Sequence, residues 1–581
     1  MTTGIDVAVA ATPLLLAGIL LIGFLWPATR AMPVAWVAAI GVGYFAWNMP
    51  VNWLAAASAV GVMTAIEILW IVFGALVLLY TLMEAGAFDR INRGFATVSD
   101  DRRVQIVLIA FFMATFIEGA AGFGTPAAVV APLLLGLGFP ALAAVVAGII
   151  GHIIAVTYGA VGTPIVVGIQ SPMESVEFTR TAIQEGGMTV QEFSVNVAAW
   201  AATYHALVGF VMPLFAVGMV VYFFGDPDDR SLAPAWEVAP LCLASGIAFA
   251  VPYWISAWFL TAEFPSLIGS MVGGAIILSI LRAGYLLPDD EWNFPDRDRW
   301  EDHWVGDIEP GQSNGSNEGA SPEAEAADLS GGENMSLLKA WSPYVLLVVL
   351  LVVTRAVGPI SNFINRDVFV VNWGGILGTD LSGAVAWMNV PGFWLLVSAV
   401  LAIPIFSMSG EEVSDAWKEA ARKIVSPFIA LVFVIAMVQV MLQSGSHPGA
   451  PEVGGMIVLL AQTTADILGV AYPAVAALIG ALGAAMAGSN TVSNITFGAF
   501  QFEAATQLGL PRTIIVGAQA VGGAIGNLVA IHNLVAALAT VGLLGQEGRV
   551  MRLNMIPLLY YSTGVGLLCL LFSYVLFPGV F

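Results

Sequence analysis

Lysine is nearly missing: it occurs at 339, 418 and 423 and nowhere else in 581 residues. Charge of any kind is scarce, at 10% of residues, while 59% are hydrophobic. A soluble domain needs a polar surface that this composition does not supply, so an all-α polytopic membrane protein is expected. Cysteine occurs only as Cys242 and Cys569, each in an apolar run. That count excludes a disulfide framework and a Cys/His metal cluster. Alternating strands, the signature of a membrane barrel, do not appear. There is no H-E-x-x-H and no P-loop lysine, which argues against a membrane-embedded enzyme, and no cofactor is expected. The start, MTTGIDVAVAATPLLL, has no basic stretch before its apolar run and reads as a first span, not a cleaved signal peptide.

The charge that is present is uneven. Net charge is −21, and between Asp289 and Glu333 fourteen Asp or Glu stand against Arg297 and Arg299 alone. Acid-rich, lysine-poor aqueous segments stay soluble at high salt, which points to a halophile, and their sign excludes a nucleic-acid partner. Arg90, Arg93, Arg102 and Arg103 share one short loop after the third apolar run, and such loops stay in the cytoplasm. Counting back puts the N-terminus outside a multi-pass protein of the cell membrane. About 12 to 14 membrane segments are expected from apolar runs of roughly 20 residues. The chain divides into an N-terminal membrane half (1–285), an acidic linker (286–335) and a C-terminal membrane half (336–581). The linker is expected to be cytoplasmic and too polar to fold alone. EEVSDAWKEAARK, 411–423, has the spacing of an amphipathic surface helix.

One apolar region contains what a membrane helix avoids. FIEGAAGFGTP, Phe116 to Pro126, holds Glu118, Gly119, Gly122, Gly124, Thr125 and Pro126. Glycines and a proline at this density predict a broken helix. A carboxylate at membrane depth costs roughly 2.5 kcal/mol or more, and freed backbone is tolerated there only inside protein or beside a wet cavity. Glu118 is therefore the leading proton-coupling candidate; its plainer role is a structural carboxylate bonded to backbone N–H. The glycines, too, have a plainer use in letting helices pack closely. The apolar run that follows, Leu142 to Val167, reads as one span.

A second interruption is AGSNTVSNITFGAFQ, Ala487 to Gln501. Ser489, Asn490, Thr491, Ser493 and Asn494 crowd polar side chains into a stretch where each needs a partner in the bilayer. A shift of 371 positions lays Glu118 on Ser489, Leu137-Gly138-Phe139-Pro140 on Leu508-Gly509-Leu510-Pro511, and Gly151 on Gly522. The first unit runs from an arginine-rich loop to an acidic one, and the second ends at Arg549 and Arg552. Opposed charge at equivalent ends predicts two inverted-topology repeats, each with a broken or re-entrant helix, as in secondary transporters. Half-helix N-termini suit a carboxylate, and glycines let backbone approach it. Thr125 and the Ser/Asn cluster would supply directed hydrogen bonds.

FIEGAAGFGTP, YGAVGTP (Tyr158 to Pro164), AGSNTVSN (Ala487 to Asn494), and AVGGAIGN with IHN (Ala520 to Asn533) closely resemble the L-lactate permease family. The resemblance spans nearly the whole chain and implies uptake of lactate, and in relatives glycolate, coupled to protons. It adds Tyr158, Thr163 and Asn533 as candidate substrate contacts and His532 as a candidate proton-coupling group beside Glu118. His152 is a weaker candidate of the same kind, since a lone histidine in an apolar helix is often a satisfied core residue. A Na⁺-coupled carboxylate or dicarboxylate transporter is the nearest rival, because exposed carbonyls with Asn490 or Asn494 suit Na⁺ as well as lactate. An anion channel is a further rival, although two unlike half-sites suit occlusion better than a ring-lined pore.

Overall fold

The computed structural model describes residues 4–96, 98–122, 124–308, 310 and 335–581. Its helices start where the chain supplies caps. Pro265, Pro391 and Pro473 stand in first turns, where a missing N–H leaves no bond unmade. Thr189 with Glu192 and Ser409 with Glu412 close capping boxes. The second of these opens Gly410–Lys423, the amphipathic helix expected from its spacing. Among the described residues, 11 helices are long and apolar enough to cross a membrane, or up to 12 if one bent pair counts as a single span. The longest unbroken one, Val51–Glu84, has 34 residues. Strand among the described residues is a short antiparallel hairpin, Val371–Trp373 with Gly383–Val385.

The same order of elements occurs twice. Ala114–Ala120 stops at a break, Thr125–Gly136 restarts, and a turn through Gly138 and Pro140 leads to Ala141–Gly151. A 3-10 segment, Ile153–Tyr158, and a short helix, Gly159–Val166, complete that series. In the second half Tyr472–Ala487 stops at Gly488 and Ser489, and Asn490–Leu508 restarts. A turn through Gly509 and Pro511 then leads to Arg512–Gly526, a 3-10 segment Asn527–Val529, and Ile531–Thr540.

Three expectations change. Leu142 to Val167 is not one span: the helix ends at Gly151, and Ala160, Val161 and Gly162 all have positive φ (42°, 55° and 76°). The signal was in YGAVGTP, whose two glycines and proline punctuate the apolar run as strongly as those in FIEGAAGFGTP. The second interruption is narrower than expected, since the Ser/Asn cluster from Asn490 onward is helical and Ser489 accepts a hydrogen bond from the Val492 N–H at 3.4 Å. The acidic linker is packed over residues 286–308. Trp292, Phe294, Trp300 and Trp304 supply the apolar surface that its charge count obscured, and Trp304 is fully buried beside Phe224. Asp290 O accepts from Arg103 at 2.7 Å, and the Asp307 N–H donates to Gly542 O at 2.8 Å. Its remainder, 311–334, lies outside the described residues.

Helices Tyr472–Ala487 and Arg512–Gly526 cross at backbone contact, because Gly480, Gly522 and Gly526 line the crossing. In a bilayer no hydrophobic drive joins two helices, so such small-residue seams carry the association. A Cβ at Gly522 would overlap the carbonyl of Ala477. Gly522→Val is expected to cost about 1–3 kcal/mol by overpacking and to lower the unfolding midpoint in detergent. Gly136→Ala, where a Cβ meets nothing within 4 Å, is expected to leave it unchanged or slightly raised.

Candidate functional site

The two breaks meet. Gly124, at φ 77°, begins the helix Thr125–Gly136, and a Cβ there would lie 2.8 Å from Asn533 Oδ1. Asn533 Nδ2 donates to Asn527 Oδ1 at 2.7 Å and to Gly488 O at 3.3 Å, so one amide touches both interruptions. Asn494 Nδ2 adds a second link, donating to Pro164 O at 2.9 Å. Between these elements lies a small cavity of about 20 Å³, lined by Glu118, His152 and Gly159 on one side and Ser489, Asn490 and Asn533 on the other. That volume holds about one water.

Glu118 and His152 face each other across it, with Oε2 and Nε2 4.0 Å apart and both side chains buried. His152 Nδ1 lies 2.7 Å from Gly148 O, and a carbonyl only accepts, so Nδ1 carries the proton. Nε2 is then the nitrogen left to exchange a proton with the carboxyl. Gly159 leaves the carboxyl its place: a Cβ there would lie 2.2 Å from Glu118 Oε1, so the carboxyl would have to shift. Asn490 sits on the first turn of its helix, and neither of its buried side-chain polar atoms has a partner among the described residues. Asn494 Oδ1 is in the same condition. Each such atom costs about 1–3 kcal/mol, and for Asn490, which lines the cavity, a polar ligand there would relieve it.

Other predicted residues serve the frame. Ser493 Oγ donates to Gly480 O at 2.7 Å and accepts from Gln519, away from the cavity. Tyr158 donates its hydroxyl to Ala198 O, and Thr163 to Ala160 O at 2.5 Å. Gly119 packs against Ser266 and Leu267, and Gly122, at φ 61°, against Ala160. Thr125 is half-buried in the first turn of its helix. His532 is exposed, its ring lying over Gly488. Of the candidate residues, Glu118, Gly124, Ser489, Asn490, Thr491 and Asn533 line the cavity together with His152, and Asn527 is an addition that the motif AVGGAIGN already contained.

A buried polar chain behind the cavity was not legible. Thr157 Oγ1 donates to Ala520 O at 3.2 Å, so it accepts from His205 Nε2 at 2.8 Å, while His205 Nδ1 meets the Tyr561 hydroxyl at 2.5 Å. Tyr253 and Ser266 hydroxyls donate to Ile154 O and Ala155 O. These bonds pin the 3-10 segment 153–158, whose ends carry His152 and Gly159. A larger, open cavity of about 800 Å³ lies nearby, lined by Glu67, Glu174, Glu263 and Arg355 among others. There Arg355 pairs with Glu263 at 3.0 Å and binds Asn389 Oδ1 at 2.9 Å.

The family model described as L-lactate permease matches residues 6–576. The chain belongs to the L-lactate permease family. Similar relatives include the L-lactate permease of Bacillus subtilis, 27% identical over 83% of this chain and 80% of that one. The glycolate permease GlcA of Escherichia coli is 25% identical over 94% and 91%, and that organism's L-lactate permease 25% over 93% and 91%. Among solved structures, Neisseria gonorrhoeae MtrF aligns over 88% of this chain and 83% of its own at 12% identity, with a TM-score of 0.40.

Thr157→Val leaves the His205 N–H without its acceptor and Ala520 O without its donor. A loss of about 2 kcal/mol or more is expected in thermal unfolding of the purified protein, and Thr157→Ser is expected to restore it.

Proposed function

We propose that this permease takes up L-lactate and related small 2-hydroxy monocarboxylates such as glycolate by proton symport, through alternating access at the cavity between the two breaks. The names of its relatives support the substrate class. The observation that carries the coupling is the buried Glu118–His152 pair, which shares a water-sized cavity with Asn490.

The chemistry follows from charge. With Nδ1–H committed to Gly148 O, the pair holds one proton between Oε2 and Nε2 or holds none. Without it a buried carboxylate faces a lone pair, an arrangement that costs several kcal/mol. Bringing in a substrate carboxylate adds a second negative charge, and a proton on the pair offsets it. The substrate carboxylate fits the N-terminus of Asn490–Leu508, with its backbone N–H groups and the unpartnered Asn490 amide; Asn490 Oδ1 can accept the 2-hydroxyl. Water-sized in this conformation, the cavity must widen to admit lactate. Pro164 lines it and Val166 lines the large cavity, so the strained turn at 160–162 is the gate in this reading.

The repeated order of elements supports two inverted repeats, one in each membrane half (1–285 and 336–581), working against each other. The segments carrying Arg102 and Arg103, Arg230, and Arg549 and Arg552 converge with residues 290–304 on one face. The positive-inside rule makes that face cytoplasmic, with the N-terminus outside and the large cavity open to the exterior.

In proteoliposomes, an imposed proton gradient is expected to drive lactate accumulation, and a sodium gradient alone is not; the reverse result would favour the sodium-coupled reading. Glu118→Gln is expected to abolish proton-driven accumulation while counterflow of labelled lactate stays measurable, and unimpaired accumulation would sink the coupling role. Gly159→Ala, which pushes the Glu118 carboxyl aside, is expected to lower uptake at least tenfold, a barrier change of about 1.4 kcal/mol.

A further inference from the structure

A third cavity, of about 250 Å³, opens where helices Ala141–Gly151, Met212–Phe224 and Glu547–Leu571 end together under the packed segment 299–308. Its wall carries Arg230, Arg549, Arg552 and His303, with Glu301 the only carboxylate among its lining residues. In a chain with 40 Asp and Glu against 19 Lys and Arg, three arginines around one cavity reverse the local sign. Glu301 is taken: Arg230 pairs with it at 2.8 Å and His303 lies 3.4 Å away. Arg549 and Arg552 have no carboxylate partner among the described residues. Each spends its Nε on a neutral oxygen, Gln546 Oε1 at 3.3 Å and Gly548 O at 3.1 Å. The outer guanidinium nitrogens are thus free for an oxyanion, which they bind in a fork.

The rest of the cavity is apolar, with Leu142, Phe223, Phe224, Trp304 and Leu553. One face of the last long helix continues the theme. Arg549 and Arg552 are followed at helical spacing by Ile556 and Leu559, which are exposed large hydrophobics at 45% and 55%. A charged pair at a helix end that runs into an exposed apolar stripe matches a headgroup above its acyl chain. A free anion would gain nothing from the stripe.

We infer that this cavity binds the phosphate group of an anionic phospholipid, held by Arg549 and Arg552, with the acyl chains along Ile556 and Leu559. The site is separate from the Glu118 cavity and does not depend on which substrate is carried. Bound there, the lipid joins the last long helix to the packed segment, which also bonds to the loop after Ile531–Thr540 through Asp307 and Gly542.

The test uses the full chain in detergent, stripped of lipid. Phosphatidylglycerol, phosphatidylcholine and inorganic phosphate are added separately, with unfolding midpoint and lipid retained in native mass spectra as readouts. Phosphatidylglycerol is expected to stay bound and raise the midpoint, and phosphatidylcholine is not. Arg549→Gln with Arg552→Gln is expected to weaken retention about tenfold or more, and the double lysine variant to keep most of it. If the double glutamine variant fails to fold, Arg552→Gln alone carries the measurement. Equal response to the two lipids, or unchanged retention in the glutamine variants, overturns the site. Full stabilisation by phosphate alone overturns the lipid as its source.

Discussion

Everything at the centre depends on a carboxyl buried within 4.0 Å of a histidine nitrogen whose ring partner is already committed to a carbonyl. That arrangement tolerates one proton comfortably and zero badly, and it leaves no room for alternatives nearby. A side chain at Gly159 would displace the Glu118 carboxyl from this place. The 3-10 segment has to hold its shape because it sets both His152 and Gly159. The bonds from Tyr253, Ser266, Tyr158 and Thr157 are the support that shape requires, since a 3-10 turn flanked by breaks has few backbone bonds of its own.

The two halves touch at the site chiefly through amides and carbonyls. Asn533 joins Gly124 to Gly488, and Asn494 joins its helix to Pro164 O. Apolar contact between membrane helices contributes little net attraction, because lipid offers the same contact. A hydrogen bond is directional and can be exchanged for another. An interface built this way is specific in position and has only modest cohesion, the combination a moving boundary needs.

Much of the fold was visible in the order of residues. Composition alone identified a polytopic helical membrane protein, and Gly and Pro clusters marked where helices stop. FIEGAAGFGTP and AGSNTVSN both fall at real breaks, and six of their polar or glycine positions line one cavity with Asn533. Three kinds of information were hidden. Side-chain direction was one: Ser493 shares a helix turn with Asn490 yet turns to Gly480, which spacing without a neighbour does not reveal. Long-range pairing was another: His205 finds Thr157 and Tyr561 through 48 and 356 positions of chain, and no local pattern announces them. Tertiary rescue of a polar segment was the third. Asp and Glu dominate 286–308, but its four large aromatics at 292, 294, 300 and 304 outweigh them once Asp101 and Arg103 anchor its start.

The packed segment has a mechanical side. It is bonded to Asp101 and Arg103 in the first half and to Gly542 in the second, and Arg299 clamps it to Asp226 at 2.6 Å. The connection between halves is therefore a short strut over part of its length, with fixed points on both bodies. A strut of that kind permits sliding and pivoting about its anchors and opposes separation along its own line. On the face that carries Arg230, Arg549 and Arg552, residues 290–307 are thus tied to segments far apart in the chain.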